Sequence, residues 1–166
     1  LGISRVASAR AGLDLLDAPI LSGIATQLAD ALARAALNDT ERRAVARIVA
    51  RLEAELGDDL LAVWLYGSRA RGEADPSETH YDRRSDIDMM AIVGPGRDIG
   101  SFKWEFTPKL IDDVVAEGDS PPYYPMHLHE LEWLIDRRRI RSFFIQEVDR
   151  DKLVLAGSDL EGEEYR

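Results

Sequence analysis

The stretch "LLAVWLYGSRARGEADPSETHYDRRSDIDMMAIV", residues 60–93, sets two apolar runs on either side of a polar loop. The first, Leu60 to Tyr66, ends at Gly67 and reads as a buried strand. The second, 86–93, carries Asp86 and Asp88 one residue apart and is stopped by Gly94-Pro95-Gly96. In a strand alternate side chains share a face, so Asp86 and Asp88 project together while Ile87 turns to the core. Like charges on one face repel, and something has to compensate them.

Two carboxylates about 7 Å apart along a strand can converge on a divalent cation. Oxygen-only ligation suits Mg²⁺ or Mn²⁺ rather than zinc. Such an ion also serves phosphate chemistry, where it bridges oxygens of a nucleoside triphosphate. Gly67, directly after a strand, lets the backbone approach a ligand, and Ser68 opens a short helix whose N–H groups and hydroxyl can meet an anion. Arg69 and Arg71 are placed either to neutralise phosphate or to lie solvated on that helix.

Upstream, the first dozen residues show no period and read as an arm, and 24–37 is alanine- and leucine-rich and helix-favouring. Asn38 with Glu41 three residues on is a capping box. Behind it Val45, Ile48, Val49, Leu52 and Leu56 recur at helical spacing, and Gly57 supplies the stop. Downstream, Thr107-Pro108 reads as a helix start, with Leu110, Ile111, Val114 and Val115 on one face and Gly118 at its end. A third strand is expected over Tyr123–His129, one or two helices over Leu131–Val148, and a terminal strand in "KLVLAG". The order is that of an α+β domain built on a small mixed sheet flanked by helices.

At 166 residues the chain suits one domain with a real core. The absence of cysteine rules out disulfides and thiolate metal sites. No run is long enough for a membrane span and no secretory signal is read, so a cytoplasmic protein is expected. A formal charge of −10 argues against gripping a nucleic-acid backbone, and strong nucleic-acid binding is not expected. It leaves room for a small anion held by local arginines. The cluster Arg137, Arg138, Arg139 and Arg141 reads as a solvated helix face or a binding patch.

"GSRARG" followed by "SDID", each attached to an apolar strand, resembles the DNA polymerase β-like nucleotidyltransferase superfamily, and within it the minimal nucleotidyltransferases of bacteria. Some of those are antitoxin partners of HEPN ribonucleases. The likeness is specific over 60–93 and looser from 39 to "DKLVLAG". It implies the polymerase β-like fold, with an arm and helix over 1–37, the nucleotidyltransferase domain over 38–157 and a tail over 158–166. It also implies that Gly67 and Ser68, helped by Arg69 and Arg71, hold an NTP such as ATP, and that Asp86 and Asp88 hold Mg²⁺. A hydroxyl of a small-molecule, protein or RNA acceptor then attacks the α-phosphorus and pyrophosphate leaves. The alternative the family offers is a catalytically impaired nucleotide- or protein-binding module, such as an antitoxin-like partner of a toxin.

The chain departs from that pattern twice. Seventeen residues separate Ser68 from Asp86, an insertion-like loop that could cover the nucleotide. The strand expected to carry a third carboxylate reads "YYPMHLHEL" instead. His127 and His129 share a face there. His129 in first place, His127 in second, or nearby Glu130 stands in for the missing acid, or catalysis is impaired. Asp112 and Asp113 are expected at the surface, Trp64 in the core, and Trp133, Phe143 and Phe144 in packing.

Overall fold

The computed structural model describes residues 18–78, 80, 83–116 and 124–166. The expected N-terminal arm, the stop at Gly118 and the strand start at Tyr123 lie outside them. Helix α1 (Ala18–Arg34) leads to α2 (Asp39–Leu56), which begins as the sequence dictates. The Asn38 side chain accepts from the Glu41 N–H at 2.9 Å, and the Glu41 carboxylate accepts from the Asn38 N–H at 2.9 Å. A cap of this kind contributes about 1 kcal/mol. Val45, Ile48, Val49, Leu52 and Leu56 are all buried.

The sheet has the order β3-β2-β1-β4, with β1 (Leu60–Leu65), β2 (Met89–Val93), β3 (Met126–Glu130) and β4 (Leu153–Gly157). β1 runs antiparallel to both β2 and β4, whereas β2 and β3 are parallel. The domain is therefore α+β on a small mixed sheet. A short helix, α3 (Gly67–Arg71), follows β1. Helices α5 (Leu131–Arg139) and α6 (Phe143–Asp151) lie between β3 and β4.

Period-two alternation divides the core into two layers. Val63, Leu65, Met89, Ala91, Val93 and Leu128 pack with the helices α1 and α2. Ala62, Trp64, Tyr66, Met90 and Ile92 pack on the other face with Leu134 of α5 and with Ile145 and Val148 of α6. Trp64 is fully buried, as expected, and its indole N–H donates to the Ser158 carbonyl at 2.9 Å. With Leu160 also buried, the residues after β4 close the second layer.

Two local expectations are corrected. The strand expected from 86 begins only at Met89, although the chain before it stays extended enough for Asp88 to accept from the Tyr66 N–H at 3.0 Å. Thr107 is not the N-cap of a fresh helix: its backbone is already helical and its hydroxyl caps nothing among the described residues. An α-turn (Ile99–Ser101) and a π-helical turn (Phe102–Phe106) run straight into α4 (Thr107–Ala116). Pro108 lacks an N–H and would break a regular helix at this point; the wider π turn just before it takes up the mismatch. Leu110 and Val114 are buried as the spacing predicts, and Asp112 and Asp113 are exposed.

Candidate active site

The site forms where β1 ends and β2 begins. Gly67 has φ +76, a left-handed conformation that favours glycine. A Cβ on Gly67 would lie 2.8 Å from Asp88 Oδ2, so the missing side chain is what lets this turn touch the carboxylate. Asp86, two residues earlier, is exposed, Ile87 between them is fully buried, and Asp88 is half-buried. The alternation read from sequence thus holds even ahead of the regular strand.

The two carboxylates are uncompensated. Among the described residues neither Asp86 nor Asp88 has an ion-pair or hydrogen-bond partner for its side chain, and the Ser68 hydroxyl has none either. Burial, then the charge of Asp86, holds the Asp88 carboxyl above its ordinary value, and His127 pulls it the other way. Burial and the same Asp88 charge push the Tyr66 phenol well up, so it stays neutral and can donate.

His127 is brought to this point by the parallel pairing of β3 with β2, which sets it beside Met90. Leu128 belongs to the core layer on the α2 side, so His127 and His129 lie on the same face as Met90 and, by alternation, Asp88. The His127 ring is 6.3 Å from that of Tyr66 and 5.7 Å from that of Phe144. Burial lowers the His127 pKa, the Asp88 charge raises it, and Lys103 lowers it. His129, the histidine expected in the third-carboxylate role, shares that face but lies further along β3, beside Ile92 rather than Met90. Its ring stacks on Trp133 at 3.5 Å and 5°. Burial first, then Lys103, His127 and Arg137, hold its pKa down to about 4, and Asp88 is not among the charges acting on it. His127 is thus the histidine coupled to Asp88.

Arg69 is also placed differently from expectation. Its side chain is fully buried and forks onto Glu41, Nη1 to Oε2 at 3.0 Å and Nη2 to Oε1 at 3.2 Å. It donates further to the carbonyls of Ala36 and Ser85. Arg84 reaches the same Glu41 at 3.0 Å. Arg69 therefore ties α2, α3 and the approach to β2 together and has no face left for phosphate. Arg71 does sit at the site's rim, lining a cavity of about 100 Å³ with Tyr66, Gly67, Phe144 and Asp151. It is tethered to Asp151 at 2.9 Å and to Glu73 at 2.8 Å.

Tyr66 and Phe144 are site residues that the sequence reading missed. Phe144, expected in packing, leans edge-on against Tyr66 at 5.7 Å and stays partly open, and Phe143 is largely exposed. The missed signal was parity: Tyr66 continues the Ala62–Trp64 face one residue before Gly67.

A divalent ion was expected on Asp86 and Asp88, and the donor set fits one. The two uncompensated carboxylates are hard oxygen donors, and Gly67 leaves one of them reachable from the backbone side. Among the described residues no third His, Asp or Glu joins them in a ligating group. The remaining positions would be filled by water and phosphate oxygens, the usual situation for Mg²⁺.

No family model matches the chain, and no curated protein does. Among solved structures, a toxin–antitoxin with AMP-PNP has 18% identity and a TM-score of 0.39, over 72% of this chain and 79% of that one. A putative nucleotidyltransferase from Sulfolobus solfataricus has 15% identity and a TM-score of 0.38, over 79% and 84%. The toxin–antitoxin MntA–HepT has 17% identity and a TM-score of 0.37, over 72% and 76%. Likeness of this order carries no argument, and the functional reading rests on the side chains described above.

Proposed function

We propose that the chain is a metal-dependent nucleotidyltransferase that moves NMP from an NTP, ATP first among the candidates, to a hydroxyl acceptor. The observation that supports it most is the juxtaposition of the Gly67 turn with Asp88, with Asp86 on the same face and His127 beside it. Asp86 and Asp88 would hold Mg²⁺ or Mn²⁺, which when bound neutralises triphosphate charge. The backbone and hydroxyl of Gly67-Ser68 receive the phosphates, with Arg71 at the rim. A bond forms between the acceptor oxygen and the α-phosphorus as the bond to pyrophosphate breaks, in line. Neutral His127 stands where it can take the acceptor's proton, in place of the acid the family resemblance led us to expect.

A second reading, a nucleotide-binding partner protein without turnover, draws on that same missing acid and on the exposed Phe143 and Ile140. Incubation with labelled NTPs and Mg²⁺ across candidate acceptors separates the two. The wild type should label an acceptor, Asp86→Asn/Asp88→Asn should not, and His127→Ala should slow transfer with NTP binding retained. Metal-dependent NTP binding without transfer to any acceptor would favour the second reading. Wild type and double variant binding NTP equally would exclude both.

A further inference from the structure

The arginines that end α5 are not used by the reaction. With Arg166 they border a cavity of about 770 Å³ between α5, α6 and the segment after β4. It opens on the flank of α6 that carries Ser142, Gln146 and Asp149, whereas Phe144, Glu147 and Asp151 on the other flank line the cavity at Tyr66 and Gly67.

The floor of the cavity is built and electrically closed. Arg138 forks onto Asp149 at 2.7 and 2.9 Å and donates to the carbonyls of Leu160 and Tyr165, which joins both helices to the segment after β4. Lys152 holds Asp149 at 2.8 Å and Glu161 at 3.0 Å, so both acids of the wall are already paired. Above this floor stand three further guanidiniums. Arg139 has only an exposed pair with Asp136, and Arg141 and Arg166 have no acid partner among the described residues. The cavity is thus locally positive in a chain of net charge −10, and a concave wall of one sign concentrates counter-ions.

Arg141 adds an observation of its own. It follows the end of α5 at φ +53, the left-handed position where glycine is usual. The turn is fixed on both sides. The Arg141 N–H donates to the Arg138 carbonyl and the Ser142 N–H to the Arg137 carbonyl, both at 2.9 Å, and the Gln146 side chain donates to the Arg141 carbonyl at 3.0 Å. A guanidinium is therefore carried where the backbone alone selects glycine.

We infer that this cavity binds a small bisphosphate, of which inorganic pyrophosphate is the simplest. Guanidinium forks match phosphate oxygens, and the Ser142 hydroxyl is a further donor on the wall. Arg139 and Arg141 approach from the end of α5 and Arg166 from the far wall, so two phosphates are met at once. No aromatic ring lines the cavity among the described residues, which leaves a nucleotide base nothing to stack on. The site does not depend on the transferase reading.

Pyrophosphate is titrated into the full chain with chelator and without NTP, followed by calorimetry and by the NMR signals of the arginine Nε–H groups. Binding should shift the Arg139 and Arg141 signals and weaken as salt is added. Arg141→Gly should lower affinity on the order of tenfold, while the unfolding midpoint without ligand holds or rises. Arg139→Gln, a change at an exposed side chain, repeats the test without touching the turn and should weaken binding several-fold. Arg71→Gln, on the other flank of α6, should leave affinity unchanged. No binding, affinity equal to that for sulfate at matched ionic strength, or indifference to both Arg139→Gln and Arg141→Gly would overturn the assignment. So would loss of binding in Arg71→Gln, which would move the anion to the Gly67 turn, or tighter binding of an acidic peptide, which would make the cavity a protein contact.

Discussion

Gly67 and Asp88 are in contact only because Gly67 has no side chain: a Cβ there would stand 2.8 Å from Asp88 Oδ2. With φ at +76, an L residue would also be strained, by about 1 kcal/mol or more. Gly67→Ala should therefore move the Asp88 carboxylate and distort the turn together. Stability should fall by about 1–2 kcal/mol, while metal-dependent NTP binding falls far more. Denaturant unfolding and calorimetry on one sample separate the two effects. A variant that binds NTP as the wild type does would mean that this contact is incidental.

Asp88 itself is an uncompensated charge. Its folded pKa lies above the ordinary value, through burial and Asp86, so ionised Asp88 costs stability above that pKa and the cost fades as pH drops. Asp88→Asn should raise stability at neutral pH, by no more than about 1 kcal/mol given how much solvent still reaches the group. It should also abolish metal-dependent NTP binding. Mg²⁺ should raise the unfolding midpoint of the wild type and not of the variant. A stabilised protein that no longer binds is the signature of a site held at the expense of the fold; a destabilised one would mean that Asp88 has a structural partner.

The elements that local chemistry controls were legible in the sequence. The Asn38–Glu41 cap, the period of α2 and the alternation through Asp86, Ile87 and Asp88 needed only neighbours in the chain. What was not legible depends on distant pairing. Arg69 looks like a phosphate ligand from "GSRARG", but its place is decided by Glu41, which comes 28 residues earlier. The two histidines are equivalent by alternation, and only the register of β3 on β2 and the Trp133 of the next helix tell them apart. The π turn before Pro108 hides the true helix start, because the Thr-Pro pair carries the local signal of one.

The Glu41–Arg69 pair sets the frame of the site. Both side chains are buried, and Arg69 satisfies both carboxylate oxygens while also holding two backbone carbonyls. Glu41→Gln leaves a buried guanidinium without its counter-charge and should cost about 3–5 kcal/mol. Arg69→Lys should rescue little, since an ammonium cannot make the fork. Urea unfolding reads both. If either variant proved as stable as the wild type while losing NTP binding, Arg69 would have to be returned to the phosphate site.

The two β3 histidines, His127 and His129, should give stability a pH dependence of definite sign. His129 is held down to about 4 in the fold against an ordinary 6.5, by burial first and then by Lys103, His127 and Arg137. Above 6.5 the ring is neutral in both states and contributes no slope. Between 6.5 and about 4 the unfolded chain takes up a proton that the folded chain refuses, so stability falls as pH falls. His127 adds the same sign more weakly, opposed by Asp88, whose raised pKa relieves a cost as it protonates. Below about 4 a separate loss begins, as Asp151, held near 2 chiefly by Arg150 and also by Arg71, takes up its proton. His129→Gln should flatten the slope between 6.5 and 4 and leave the lower limb untouched. Unfolding midpoints measured across that range check it. An unchanged slope in the variant would place the responsible group elsewhere and would remove the evidence for a neutral, stacked His129.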